Sequence, residues 1–404
     1  MDRRAFMGSL GVYGSLLAGA RAQGTSRAPK LKIREIRAVR MKGINSRFVR
    51  VYTDQGLTGT GETLDTVGAA DIINKDVGPS LVGRDPLDIE KIYFDLFSFP
   101  PVFRRGNGGG PYMAAMSGID MALWDLAGKA LGLPVYRLMG GRVRDKVAVY
   151  FHSHEPKDAV DYAKRTGVKA IKTQIGMVAM ADNNGYGFDP GKVANMTLTN
   201  RQIEDIAKHV ASMREALGPD FGIALECHTQ FDTESGLQVC KAVEPYRPLW
   251  VEEPVPSDNV EAMAFIRSHT RVPIACGENV YTRFGARPYL EKQAISMLQL
   301  DMAKCGGLLE SRKMAALAEV YHIPIAPHGV ATKLGIAAYA HVCSTVPNFM
   351  ILEWLHYRDD VYNKLTTSPD YADGFLKVPE VPGIGVEVNE DAVNELAMPG
   401  FPKL

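Results

Sequence analysis

The chain predicts an α/β fold built around a βα barrel, and three observations carry that prediction. Three glutamates each close a short apolar run: Glu226 after Phe221–Leu225, Glu252 after Pro248–Val251, and Glu278 after Val272–Gly277. They are spaced 26 and 26 residues apart, about the length of one βα unit, so they fall at the same end of successive parallel strands. Asp301 and His328 continue the series 27 residues apart, and Glu353 closes Phe349–Leu352. The ends of barrel strands are where this architecture places its chemistry.

The chain has 404 residues, 46% of them hydrophobic and 23% charged, enough for a barrel, a second domain and a full core. Lys and Arg balance Asp and Glu at a formal charge of zero, so nothing points to nucleic acid or an anionic membrane as partner. The partner expected instead is a small molecule. Residues 1–30 read as an export signal and linker. Arg3-Arg4-Ala5-Phe6-Met7 precedes a weakly apolar stretch to Leu17 and the small-residue end Ala20-Arg21-Ala22, a pattern similar to a twin-arginine signal for the periplasm. A start assigned too early would leave the protein cytoplasmic. The apolar run is too short to span a bilayer. Cys227, Cys240, Cys276, Cys305 and Cys343 are odd in number and form no CxxC, so buried free thiols are expected rather than a disulfide framework.

Residues 31–146 read as an N-terminal α+β capping domain. Leu31 to Val51 suggests strands with a turn at Gly43–Ser46, and Asp54-Gln55-Gly56 is a hairpin signal. Residues 67–97 read as helices broken near Gly83–Pro86. Arg104–Gly110 is a glycine-rich loop, and Met113–Leu131 an amphipathic helix with small residues for close packing. The barrel, residues 147–368, starts near Val147. It continues through a strand at Val168–Ile175, a helix at Asn200–Leu217 and the strand into Glu226. Residues 176–199 interrupt the rhythm as a loop over the barrel mouth. Residues 369–404 form a tail returning to the cap.

Three carboxylates converging on one point repel unless a cation neutralises them, and an all-oxygen donor set favours Mg²⁺. An Asp bonded to a His orients the ring and raises its basicity. A lone strand-end Glu is ordinarily a helix cap or rim residue. Glu253, next to Glu252, is expected to point the other way along the strand. The regular series is what sets the other residues apart.

The words Leu249–Pro254, Ala275–Asn279, Gln299-Leu300-Asp301 with Gly306-Gly307, Pro327-His328, Leu352-Glu353-Trp354 and Pro382–Val386 resemble the enolase superfamily, mandelate racemase subgroup, over nearly everything after residue 30. The resemblance implies a modified TIM barrel, (β/α)7β, with an α+β cap completed by the C-terminal tail. It also implies one Mg²⁺ per subunit on Glu226, Glu252 and Glu278, and a homo-oligomer. In such enzymes a His takes the proton α to a carboxylate and the cation stabilises the enediolate. His328 with Asp301 fits the base; Lys172 and Glu353 fit the groups holding the developing charge. Where the family pattern has Lys-x-Lys, this chain has Lys172-Thr173-Gln174, and glutamine is no base, which disfavours a two-base racemase. Glu226-Cys227-His228 is similar to the acid-sugar dehydratases, with His228 protonating the departing β-hydroxyl to leave a 2-keto-3-deoxy acid. Asn45 and Arg105 on the cap loops, with Gln174 and Arg283, are candidate substrate contacts. Gly329 stands where related dehydratases often carry Asn, so no particular sugar acid is inherited. A racemase or epimerase on the same fold and a non-catalytic binding protein are the competing readings; the retained acid, base and ligand set opposes the latter.

The export signal makes a prediction. Replacing Arg3 and Arg4 together by Lys leaves an unprocessed precursor in the cytoplasm on fractionation; normal periplasmic delivery of that variant contradicts the signal.

Overall fold

In the computed structural model the described residues are 29–64, 67–98, 109–181, 197–355, 357 and 359–404. The predicted export signal, Arg105 and most of the 176–199 interruption lie outside them. Leu31–Leu404 forms one unit.

Three antiparallel strands open it: β1 (Ile33–Arg40), β2 (Ser46–Thr53) and β3 (Thr58–Leu64), in the order β1-β2-β3. The β2–β3 turn uses Gly56 at φ 80°, a left-handed conformation that glycine takes without a Cβ clash. Short helical turns and the helix Ile89–Ser98 follow, then the helix Gly110–Leu131. That helix is not amphipathic as expected. Its residues from Met113 to Leu123 are all buried, because the β2–β3 sheet covers one side and the barrel helix Gly307–Val320 another. Asp120 reaches that second helix, accepting from Leu309 N–H at 3.2 Å.

Eight parallel positions then close a barrel. They are β4 (Lys146–His152), β5 (Ala170–Gln174), β6 (Gly222–Glu226), β7 (Trp250–Glu252), β8 (Ile274–Cys276), β9 (Met297–Leu298), a single bridge position at Ile325, and β10 (Leu352–Glu353), which returns to pair with β4. The principal crossover helix after each of the first seven is, in order, Pro156–Thr166, Asn200–Leu217, Thr233–Val243, Val260–His269, Thr282–Glu291, Gly307–Val320 and Lys333–Thr345. The fold is therefore the (β/α)7β form of the TIM barrel. Buried strands read as apolar runs, as a parallel sheet covered on both sides requires. The seventh position is reduced to a bridge because Pro324 and Pro327 flank it and supply no N–H to a ladder; Ile325 N–H still donates to Asn348 O at 2.9 Å. The second crossover begins as a helix, Ile175–Ala181, where only loop was expected.

The tail first extends the barrel wall. β11 (Tyr371–Ala372) and β12 (Phe375–Lys377) form a hairpin antiparallel to β4. From Gly383 the chain runs along the cap, with Gly383 N–H donating to Leu133 O and Met398 N–H to Arg40 O. Cap and barrel are also joined through Glu62 on β3. Its buried carboxylate accepts from Thr332 N–H (2.7 Å), Thr332 Oγ1 (2.6 Å) and Gly335 N–H (2.9 Å). These donors open the helix Lys333–Thr345, whose first-turn N–H groups need partners outside the helix; Leu334 N–H is taken by Thr332 Oγ1 at 3.2 Å. All five cysteines are buried and free.

A Cβ on Gly61 would stand 2.4 Å from Gly118 O and 2.5 Å from Ala122 N, so strand and helix meet there at backbone distance. Gly61→Val is expected to lower stability by roughly 2–3 kcal/mol or more through overpacking, read as a fall in the urea midpoint. An unchanged midpoint contradicts this packing.

Candidate active site

Adjacent strands set the site by register. Glu226 pairs with Glu252 across β6 and β7, and His152 pairs with Lys172 across β4 and β5. Side chains at equal height on a parallel barrel point into one layer. Ligand oxygens of Glu226, Glu252 and Glu278 all lie within 4.8 Å of one another. Glu226 and Glu252 are buried and Glu278 is 19% exposed at its side chain.

Lys172 sits among these acids, fully buried. Its Nζ is 3.1 Å from Glu226, 3.0 Å from Glu252 and 2.8 Å from Glu353. Burial disfavours the ammonium, but the Glu252 and Glu353 carboxylates outweigh it and raise the Lys172 pKa well above the lysine range. Burial likewise works against the Glu353 carboxylate, yet Lys172, then His328 and His152, hold its pKa well below the usual range. Glu226 has no such surplus of cations. Burial and the neighbouring Glu252 drive its pKa well up. Glu252 is fixed by Trp250 Nε1 at 3.1 Å and Gln299 Nε2 at 2.6 Å.

His328 stands on the far rim of this nest. Its Nδ1 is 2.6 Å from Asp301 Oδ2 and its Nε2 is 3.1 Å from Glu278. The other Asp301 oxygen accepts from Tyr339 Oη at 3.0 Å and Ala303 N–H at 2.8 Å. Burial opposes a charge on His328, but Glu278, Glu353 and Asp301 together raise its pKa to about 9. Among the described residues Lys172 and His328 face Glu226, Glu252, Glu278, Asp301 and Glu353, with Lys304 acting on Glu278. The negative charge exceeds them, the donors are hard oxygens, and the three glutamates could hold a divalent cation.

Strand β6 ends at Glu226, so His228 does not follow it by simple alternation as expected. His228 and Thr229 turn at φ 50° and 59°, and the Glu226 carboxylate holds the turn by accepting His228 N–H at 2.7 Å. The His228 ring reaches solvent. The protein packed around it lowers its pKa, and Glu278 is the strongest opposing influence. A cavity of about 600 Å³ opens beside it, lined by residues 228–233 and by Val255, Pro256, Asp258 and Asn259.

The remaining candidates fall elsewhere. Gln174 pairs with Glu226 on the neighbouring strand, and its backbone N–H faces His154 Nδ1 at 3.3 Å. Arg283 is taken up by Glu310, at 2.5 Å, with its guanidinium over Phe284, so it serves the cap-facing helix rather than the cluster. Asn45 is exposed, and its backbone N–H donates to Tyr362 Oη at 2.9 Å. Glu253, expected as a rim residue, is buried against the Cys276 thiol and Gly277 N–H, because the chain turns at φ 40° there. His152, which the strand-end series did not include, contacts Glu353 through Nε2. The signal was present: His152 closes the first barrel strand, and strand ends carry the chemistry throughout.

Residues 155–392 match the enolase C-terminal domain-like family, and residues 35–140 match the N-terminal domain of mandelate racemase / muconate lactonizing enzyme. The chain belongs to the enolase superfamily. Among its relatives, a D-xylonate dehydratase of Haloferax volcanii is 37% identical over 352 residues, covering 86% of this chain and 84% of that protein. A D-galactonate dehydratase of Ralstonia pickettii is 34% identical, covering 86% and 90%. The crystal structure of a mandelate racemase/muconate lactonizing enzyme-like protein from Rubrobacter xylanophilus superposes with a TM-score of 0.81 at 34% identity, covering 93% of this chain and 99% of that one. Among the described residues no helix is long and apolar enough to cross a membrane.

The ion pairs of Lys172 predict a measurable dependence. Lys172→Met leaves buried carboxylates uncompensated, and removing one partner of a buried pair costs about 3–5 kcal/mol. Denaturant unfolding in EDTA should show a loss of that order. A wild-type midpoint would mean that the lysine does not hold the cluster.

Proposed function

We propose that this enzyme dehydrates a sugar acid, removing the proton α to its carboxylate and expelling the β-hydroxyl to give a 2-keto-3-deoxy acid. The observation that carries the reading is the split of acid–base groups around one carboxylate nest. His328, oriented by Asp301, faces it; Gln174 stands where a second base would be needed; and a separate histidine, His228, follows in the turn that the Glu226 carboxylate holds. The relatives named for dehydration of D-xylonate and D-galactonate support the same class.

Glu226, Glu252 and Glu278 would hold one Mg²⁺. When bound, that ion neutralises the substrate carboxylate and stabilises the second negative charge that develops as the α-proton leaves. His328 takes that proton on Nε2, while Nδ1–H stays with Asp301, whose other oxygen is fixed by Tyr339 and Ala303 N–H. The Lys172 ammonium adds positive charge on the side where the substrate oxygens gain electron density, and Glu353 holds the lysine in place. The carbon–oxygen bond at the β-position then breaks, and His228 gives its proton to the departing hydroxyl, which leaves as water. The resulting enol tautomerises to the keto acid. Acid and base on separate side chains let the two bond-breaking events be uncoupled.

The test is a panel of sugar acids with Mg²⁺, with keto acids trapped by semicarbazide and the α-proton followed by NMR in D₂O. The wild-type enzyme forms a keto acid from at least one member. His328→Asn loses both exchange and dehydration, by roughly 10²–10⁴-fold for a general base. His228→Asn loses dehydration but retains exchange. Dehydration by His228→Asn at the wild-type rate removes His228 from the acid role. Inversion of the best substrate with no keto acid replaces the dehydratase reading by a racemase or epimerase.

A further inference from the structure

Glu353 is held from both sides. One oxygen is 2.8 Å from Lys172 Nζ and also contacts His152 Nε2. The other accepts from Gly329 N–H at 3.1 Å and lies 4.0 Å from His328 Nε2. The two residues come from paired strands: β10 carries Glu353 and β4 carries His152. His152 also stands beside Lys172 across β4 and β5. The His152 Nδ1 atom is buried and has no hydrogen-bond partner among the described residues. A buried N–H without an acceptor is unfavourable, whereas an unprotonated ring nitrogen there forgoes only a weak acceptor bond. The ring proton therefore belongs on Nε2, pointing at Glu353. In that form His152 is a neutral donor that orients the carboxylate without changing the charge balance set by Lys172.

We propose that His152 is a positioning residue, whose Nε2–H donated to Glu353 holds that carboxylate, and through it Lys172, toward the place where substrate charge develops. It rests on the dehydratase reading for what Glu353 and Lys172 do, but not for the contact itself. The site then contains two histidine–carboxylate pairs of opposite polarity of use. In one, Asp301 orients a histidine that acts; in the other, a histidine orients a carboxylate beside the reacting centre. Removing an orienting partner of this kind costs roughly 10–100-fold in activity. The loss should fall on kcat more than KM, because the interaction matters as charge develops.

The experiment compares His152→Leu, which fills the space without a donor, with His152→Gln, whose amide N–H can reach the same oxygen. His152→Leu should lower kcat roughly 10–100-fold with KM little changed, and His152→Gln should restore the greater part. A purely space-filling role predicts the reverse order. The contact is also read without substrate, as a far-downfield imidazole proton in the NMR spectrum of the full protein. That resonance should vanish in His152→Leu, shift in Glu353→Gln and persist in Asp301→Asn. A wild-type kcat in His152→Leu, or a resonance unmoved by Glu353→Gln, overturns the proposal. A wild-type enzyme that forms no keto acid, with the resonance behaving as stated, locates the failure in the dehydratase reading instead.

Discussion

One buried ammonium organises the centre of this barrel. Lys172 lies within 3.1 Å of three carboxylates from three other strands. Charges taken out of water are tolerated only with close partners of opposite sign, so the positions of Glu226, Glu252 and Glu353 are tied to each other through that one side chain. The lysine cannot neutralise the whole group. Glu226 remains pushed toward its protonated form and His328 is drawn toward its charged form. The scaffold thus stores negative charge at the strand ends and leaves a demand for positive charge at the mouth.

The rest of the fold serves to keep that arrangement rigid. Strand register delivers Glu226 and Glu252 to one height, and Glu278 joins them from just beyond β8. Trp250 and Gln299 fix one of them, and Tyr339 with a backbone N–H fixes the aspartate behind His328. The N-terminal layer takes part from a distance. Glu62 binds the first turn of the helix that begins just after His328, so the segment following His328 is anchored from the cap as well as from the barrel. Side chains locked by such outer contacts hold a reacting geometry better than loops do.

The barrel and its acid series were legible because each glutamate ended an apolar run and the runs recurred at the length of a βα unit. That signal comes from burial and strand length, which a sequence displays directly. What it did not display were contacts made after a strand stops. His228 and Glu253 were placed by strand alternation, yet both sit in left-handed turns, and the partner that stabilises the first of these is a carboxylate side chain. Arg283 looked available at a strand end, but its partner Glu310 lies 27 residues away. The helix after Gly110 seemed amphipathic in isolation, and only the packing of the cap on the barrel buries its second face. His152 was missed for a different reason. The acids mark strand ends only from β6, the third barrel strand, onward, and the first strand ends in a histidine.

The central claim is that the surplus carboxylate charge is a site for one divalent cation on which turnover depends. The most direct measurement is a titration of metal-free enzyme with Mn²⁺, following bound metal by electron paramagnetic resonance and keto-acid formation in the same samples. The account predicts one tightly bound ion per chain, activity rising in step with its occupancy, and loss of both in Glu252→Gln. Full activity before any ion binds, or undiminished binding in Glu252→Gln, would contradict it.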